Sequence, residues 1–245
     1  MTSSADITPP PPPAPAPRPN FFARLGGLFS NPSATMADVA DRPDWVVPLL
    51  LIVLVSGALN FIAAPRMDLE TGMREQFAER GMTDQQIDDA IDRVAAFQKF
   101  GAPISAISVV IMLIALAALF MLIARLFGGE GVFRQYFAVM NYAWLPQLVK
   151  GALVVLLLVR AGSLEPDEMG TLLKSNLGFL ADPKEQPVLA TLLSSIDLFN
   201  IACLALMIFG YGRASRLGTR KMATLVISTY VVWILVRVGI AAIRG

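Results

Sequence analysis

An acid stands in the middle of an apolar run. Val188 to Gly212 reads VLATLLSSIDLFNIACLALMIFGYG, which is long enough to cross a bilayer, a task needing about 20 mostly apolar residues. Its only ionisable acid is Asp197. A carboxylate at that depth costs about 2.5–3.5 kcal/mol on insertion scales and must face protein or water, not lipid. The run therefore predicts not one crossing but several, with the others sheltering Asp197.

The rest of the chain supplies them. Residues 45–64, 103–127, 141–160 and 222–243 are further apolar stretches, giving five expected spans in a membrane domain over 45–245. Hydrophobic residues make up 55% of the chain and charged ones only 16%, against about 25% charged in a soluble domain. The expected fold is all-α: a polytopic helical membrane protein with five transmembrane helices.

Composition also removes functions. The net charge is +1, which gives no case for a nucleic-acid partner. There is no histidine, so the commonest general base, triad base and metal ligand are missing. The single cysteine, Cys203, lies inside the apolar run and has no partner for a disulfide or zinc framework. No catalytic, cofactor-binding or metal-binding residues are expected.

Ahead of the spans, residues 1–20 carry TPPPPPAPAPRPN. Proline locks the backbone angle and cannot donate, so this tail reads as an extended, disordered spacer. Residues 21–44 form an interfacial segment. In FFARLGGLF, Phe21, Phe22, Leu25, Leu28 and Phe29 would share one helical face with Arg24 opposite, as in a helix lying in the membrane surface. Asn31-Pro32-Ser33 looks like a helix start, since Asn caps and Pro suits a first turn; that helix ends near Asp41, before Arg42-Pro43. Trp45 opens the first span, where an interfacial aromatic belongs.

Two loops are acidic. Residues 66–101 read as amphipathic helices around a Gly81 turn, with Thr83 and Gln86 spaced as a capping box. Their acids, from Asp68 to Asp92, lack calcium-loop spacing and read as a solvated face. In the second loop, 160–187, Pro166-Asp167-Glu168 resembles a helix start, with Leu172, Leu173, Leu177 and Leu180 placed to lie on the membrane surface. Gly128, Gly129 and Gly131 fit no phosphate-binding pattern and read as a tight turn between spans. The third span begins between Tyr136 and Pro146, where the proline should kink or restart it.

Orientation follows from basic residues in short loops. Arg213, Arg216, Arg220 and Lys221 form the strongest asymmetry and place that loop in the cytoplasm. Alternation puts the N-terminus and the Gly128 turn inside. Both acidic loops and the C-terminus fall outside, so 66–101 is a helical extracytoplasmic loop.

Depth links the charges left in the membrane. At 1.5 Å per residue, Asp197 lies roughly 14 Å from the outer end of its span, Lys150 roughly 15 Å and Arg237 roughly 9 Å. Asp197 and Lys150 are expected to pair, with Arg237 as a second partner for the acid. Asn200, at i+3 from Asp197, joins the same polar face. Asn141 and Tyr142, near the inner end, are expected to form interhelical hydrogen bonds.

Several stretches resemble the Yip family, the five-span membrane proteins named for interacting with Ypt/Rab GTPases, in its bacterial branch. LFSNPSATM (Leu28 to Met36) followed by RPDWVVPLLL is similar to the family's entry into its first span. AAP (Ala63 to Pro65) with GMTDQQID (Gly81 to Asp88) resembles the bacterial external loop. FGGEGVFRQYFAVMNYAWLPQLV (Phe127 to Val149) and SSIDLFNIACLALMIFGYG (Ser194 to Gly212) resemble the Gly-rich turn and the Asp-bearing span. The aromatic that the family places soon after Asp-Leu-Phe is absent from Asn200-Ile201-Ala202. The resemblance implies five spans with a cytoplasmic N-terminus, and no catalytic residues. For eukaryotic relatives it implies vesicle trafficking and membrane shaping through GTPases, a cycle that bacteria lack.

The expected function is non-enzymatic: an integral protein, in the bacterial inner membrane, that organises membrane or recruits a protein partner through its cytoplasmic N-terminal region. The alternative is a small ion or solute transporter using Asp197, Lys150 and Arg237. Apart from the lipid bilayer itself, the sequence names no partner.

Overall fold

A computed structural model of the chain describes residues 19–66, 73–74, 77–78, 80–98, 101–162, 172–183 and 185–244. The Pro-rich tail up to residue 18, four loop acids (Asp68, Glu70, Glu75, Glu79) and the Pro166 helix start lie outside the described residues. Among the described residues the protein is helical, with no strand beyond one isolated β-bridge.

Two short helices come first, α1 (Phe21–Ser30) and α2 (Pro32–Asp41). Asn31 caps α2 by accepting from the Ala34 amide, with Pro32 in the first turn. The first crossing is α3 (Val46–Ala63). Next comes α4 (Asp84–Gln98) in the first acidic loop. Its start is a capping box: Thr83 N donates to Gln86 Oε1 at 3.0 Å and Gln86 N to Thr83 Oγ1 at 3.4 Å.

The second and third crossings are α5 (Gly101–Leu126) and α6 (Phe133–Ala161). The third crossing differs from its expectation. It begins at Phe133 and runs through Pro146 without interruption. Proline removes one ladder bond, but Tyr142, Ala143 and Leu145 around it are buried, and packing with α2, α3, α5 and α8 holds the helix together.

The largest departure is at residues 188–212, expected as one helix. They form α7 (Pro187–Ser194) and α8 (Leu198–Ala214), broken at residues 195–197. Ser and Asp side chains offer the backbone local partners that compete with helix continuation. Here Asp197 has extended backbone angles and caps α8, accepting from the Phe199 and Asn200 amides. The chain ends in α9 (Thr219–Arg244).

Among the described residues four helices are long and apolar enough to span a membrane, Val46–Arg66, Pro103–Leu126, Phe133–Ala161 and Thr219–Ile243, and α8 is a shorter apolar helix. At 1.5 Å per residue α8 is about 26 Å long, and with α7 and the break it makes up the fourth passage.

The core sits where α2, α5, α6 and α8 meet, around Met36, Val39, Leu113, Phe120, Tyr136 and Tyr211. Gly210 permits this closeness, because a Cβ there would come 2.5 Å from Val139 Cγ1 and 3.0 Å from Met36 Cε.

Three segments expected on one side of the membrane share one end of the bundle. The Gly128–Val132 turn, the end of α2 and the arginine-rich connector touch directly. Glu130 N donates to Ser215 O at 2.8 Å and Gln135 Nε2 to Ala40 O at 2.9 Å. Arg213 pairs with Asp41 at 2.8 Å and Arg216 with Glu130 at 2.7 Å. Gly131, at φ 94°, lies so near α8 that a Cβ would sit 2.5 Å from Ala214 O.

The helix α1 also departs from its expectation. Arg24 is not on an outward polar face but buried, at 4% exposure. Phe21, Leu25 and Leu28 pack against the core, while Phe22 and Phe29 are 77% and 82% exposed. The apolar stripe is therefore split, because Arg24 finds partners inward that a membrane surface could not offer.

Candidate functional site

Asp197 is fully buried, at 0% exposure. Each carboxylate oxygen has two donors. Oδ1 accepts from Phe199 N at 2.9 Å and Asn200 N at 3.1 Å. Oδ2 accepts from Ser175 Oγ at 2.6 Å and Lys150 Nζ at 3.0 Å. A buried charge requires this completeness, since a carboxylate out of water loses several kcal/mol of solvation.

The cap and the ion pair come from different parts of the chain. Lys150 projects from α6, just past Pro146. Ser175 belongs to the second acidic loop, which docks on the break between α7 and α8. That docking is a miniature sheet: Asn176 and Asp197 form an antiparallel bridge, with Leu198 N donating to Ser175 O at 3.0 Å and Leu177 N to Ile196 O at 3.3 Å. The break leaves backbone groups without helical partners, and the loop supplies them.

A second polar chain adjoins it. Gln147 Nε2 donates to Asn200 Oδ1 at 2.8 Å, Asn200 Nδ2 to Tyr230 Oη at 3.1 Å, and Tyr230 Oη to Ser195 O at 2.7 Å. These bonds tie α6, α8 and α9 to the break. Cys203 is buried beside Gln147, 3.6 Å from its Nε2.

The structure brings Asp197, Lys150 and Asn200 together and leaves Arg237 apart. Among the described residues Arg237 has no hydrogen-bond or ion-pair partner, only the electrostatic influence it exerts on Tyr230; it lies on the exposed side of α9 and lines a groove towards α5. Asn141 donates within its own helix to Phe137 O at 2.7 Å, not across helices. Tyr142 lies beneath the Arg24 guanidinium, 5.8 Å from ring centre to Cζ.

Sequence reasoning missed Gln147, Ser175 and Tyr230. Gln147 had a usable signal, because it stands three residues before Lys150 on the same helical face. Ser175 had none, being one polar residue in a polar loop.

At the arginine-rich end the N-terminal helices are fixed to the bundle. Arg24 Nη2 lies 2.8 Å from Asp38 Oδ2 and donates to Arg42 O at 3.0 Å. Burial works against the Arg24 charge, but the Tyr142 hydroxyl and Asp38 outweigh it and raise its pKa above the ordinary value. Beside this platform lies a polar pocket of about 530 Å³, bordered by Asp41, Glu130, Gln135, Arg213 and Arg216.

Long apolar helices, a crossing broken at a capped and paired aspartate, and loops sorted to opposite ends define a polytopic helical membrane protein. Within that class the chain belongs to the Yip family: the model of the Yip1 domain matches residues 26–243. No curated protein and no solved structure matches the chain.

Proposed function

We propose that the protein is a non-enzymatic organiser of the bacterial inner membrane that recruits a protein partner to its cytoplasmic N-terminal helices. The observation that carries this reading is the fixed posture of α1. Arg24 is held by Asp38 and the Arg42 carbonyl, and this turns Phe22 and Phe29 outward. Two exposed aromatics on a rigid support resemble the anchors of an interface, where aromatic side chains carry much of the affinity. By the charge rule, the arginine-rich connector supports a cytoplasmic position for this end.

The Asp197 site supports a structural role over transport of an ion or polar solute. Both of its oxygens already hold protein donors and no part of it is exposed. A transported cation would have to displace Lys150 and Ser175 together.

In-cell photocrosslinking from positions 22 and 29 of the full chain tests the proposal. The expected result is one discrete protein adduct shared by both positions and lost in Arg24→Glu, which undoes the support. Adducts to lipid alone at both positions would overturn it.

A further inference from the structure

A groove of about 520 Å³ opens between α5 and α9, which make little contact with one another. Its floor comes from α6 and α8. Polarity is sorted along its length. Helix α9 starts at the arginine-rich end, and Arg237, 18 residues further, stands about 27 Å up the axis. Phe120, Met140 and Met207 line the groove about 9–11 Å from that same end, counted along their own helices. The lower part is thus apolar, Gln147, Asn200 and Tyr230 lie above it, and the single charge is at the top.

A hydrocarbon core is about 30 Å thick, and Arg237 stands about 9 Å from the outer end of its span, so its long side chain brings the guanidinium to the headgroup level of the far leaflet by snorkelling. Among the described residues its guanidinium has no ion-pair or hydrogen-bond partner. The nearby acid, Asp197, is already satisfied by Lys150 and Ser175. A cation at headgroup level above an apolar slot is complementary to one kind of molecule: an amphiphile with an anionic head and a hydrocarbon tail. Guanidinium suits a phosphodiester because its planar fork can donate two parallel hydrogen bonds.

We propose that this groove is a binding site for one glycerophospholipid of the leaflet at the acidic-loop end. Its phosphate is held by Arg237 and one acyl chain lies between α5 and α9, down to Phe120 and Met207. The lipid completes the packing that these two helices do not provide for each other. The site is distinct from the N-terminal platform and adjoins the Asp197 break, with which it shares Gln147, Asn200 and Tyr230.

Tryptophan quenching by a phosphatidylglycerol with brominated acyl chains tests this on the full chain in detergent micelles. Trp144 lines the groove and Trp45 lies outside it, against Phe137. Two single-tryptophan proteins, one keeping Trp144 and one keeping Trp45, serve as reporters. Saturable quenching is expected at Trp144 and only linear quenching, rising with lipid fraction, at Trp45. Arg237→Gln should raise the half-saturating lipid fraction about tenfold, and Arg237→Lys should recover most of it. Linear quenching at both reporters would overturn the proposal, and so would saturation at Trp144 that Arg237→Gln leaves unchanged. Because Arg237 is exposed and has no hydrogen-bond or ion-pair partner among the described residues, its replacement does not threaten the fold.

Discussion

Asn176 and Asp197 face each other as an antiparallel bridge, and this pairing closes the gap between α7 and α8. A loop residue and a membrane-buried acid thus form one unit. The bridge satisfies the backbone on one side of the break, while the Asp197 carboxylate satisfies the first amides of α8 on the other. The fourth passage tolerates its interruption because the Leu198, Phe199 and Asn200 amides at the start of α8 all find acceptors at the break.

Removing one partner of the Lys150–Asp197 pair should be costly. Asp197→Leu is expected to lose about 3–5 kcal/mol, since Lys150 is left uncompensated and α8 loses its cap. Asp197→Asn should be milder, because Asn also caps helices. Unfolding titrations in mixed micelles would measure both. Lys150→Met combined with Asp197→Leu should cost less than the two single losses added together, and strict additivity would show that the two side chains do not interact.

Ser175→Ala tests the docking of the loop. It strips one donor from a buried carboxylate and should cost about 1–3 kcal/mol. It should also speed hydrogen exchange at Leu177 and Leu198, whose amides make the bridge. Unchanged exchange there would mean that the backbone bridge holds without the side chain.

Gly210→Leu should destabilise by overpacking. The new side chain meets Val139 and Met36 at once, and such insertions typically cost about 1–3 kcal/mol. Gly239→Leu is a matched control, because nothing lies within 4 Å of a Cβ there. Melting temperatures of the two variants should separate clearly.

Arg24→Met should release the N-terminal helices without unfolding the bundle. Asp38 and the Arg42 carbonyl lose their shared donor. Limited proteolysis should then cut between Asp41 and Trp45 several-fold faster, while α5 to α9 remain resistant. Equal rates in wild type and variant would show that the packing of Met36 and Val39 with the Gln135–Ala40 and Arg213–Asp41 bonds holds α2 without Arg24.

Orientation can be read with single cysteines in a Cys203→Ala background. Arg216→Cys should react with an impermeant maleimide only from the cytoplasmic side, and Lys174→Cys only from the opposite side. The reverse pattern would invert the topology and remove the N-terminal platform from the cytoplasm.

The sequence by itself determined that this chain crosses a membrane as helices, and which segments lie at each end. These properties follow from apolar runs and local charge, which add up along the chain and need no knowledge of neighbours. The same holds for the Asn31 cap, the Thr83–Gln86 box and the common depth of Lys150 and Asp197, each a matter of spacing. Only the tertiary structure decided that the Asp197 run breaks, that Pro146 does not interrupt its helix, and that Arg24 turns inward. Each depends on a partner far away in sequence: Ser175 and Asn176 for the break, the packed neighbours of α6 for the proline, Asp38 and Tyr142 for the arginine. Hydropathy measures what a segment loses in lipid. Whether a polar group can remain there depends on donors and acceptors that arrive from elsewhere when the helices assemble.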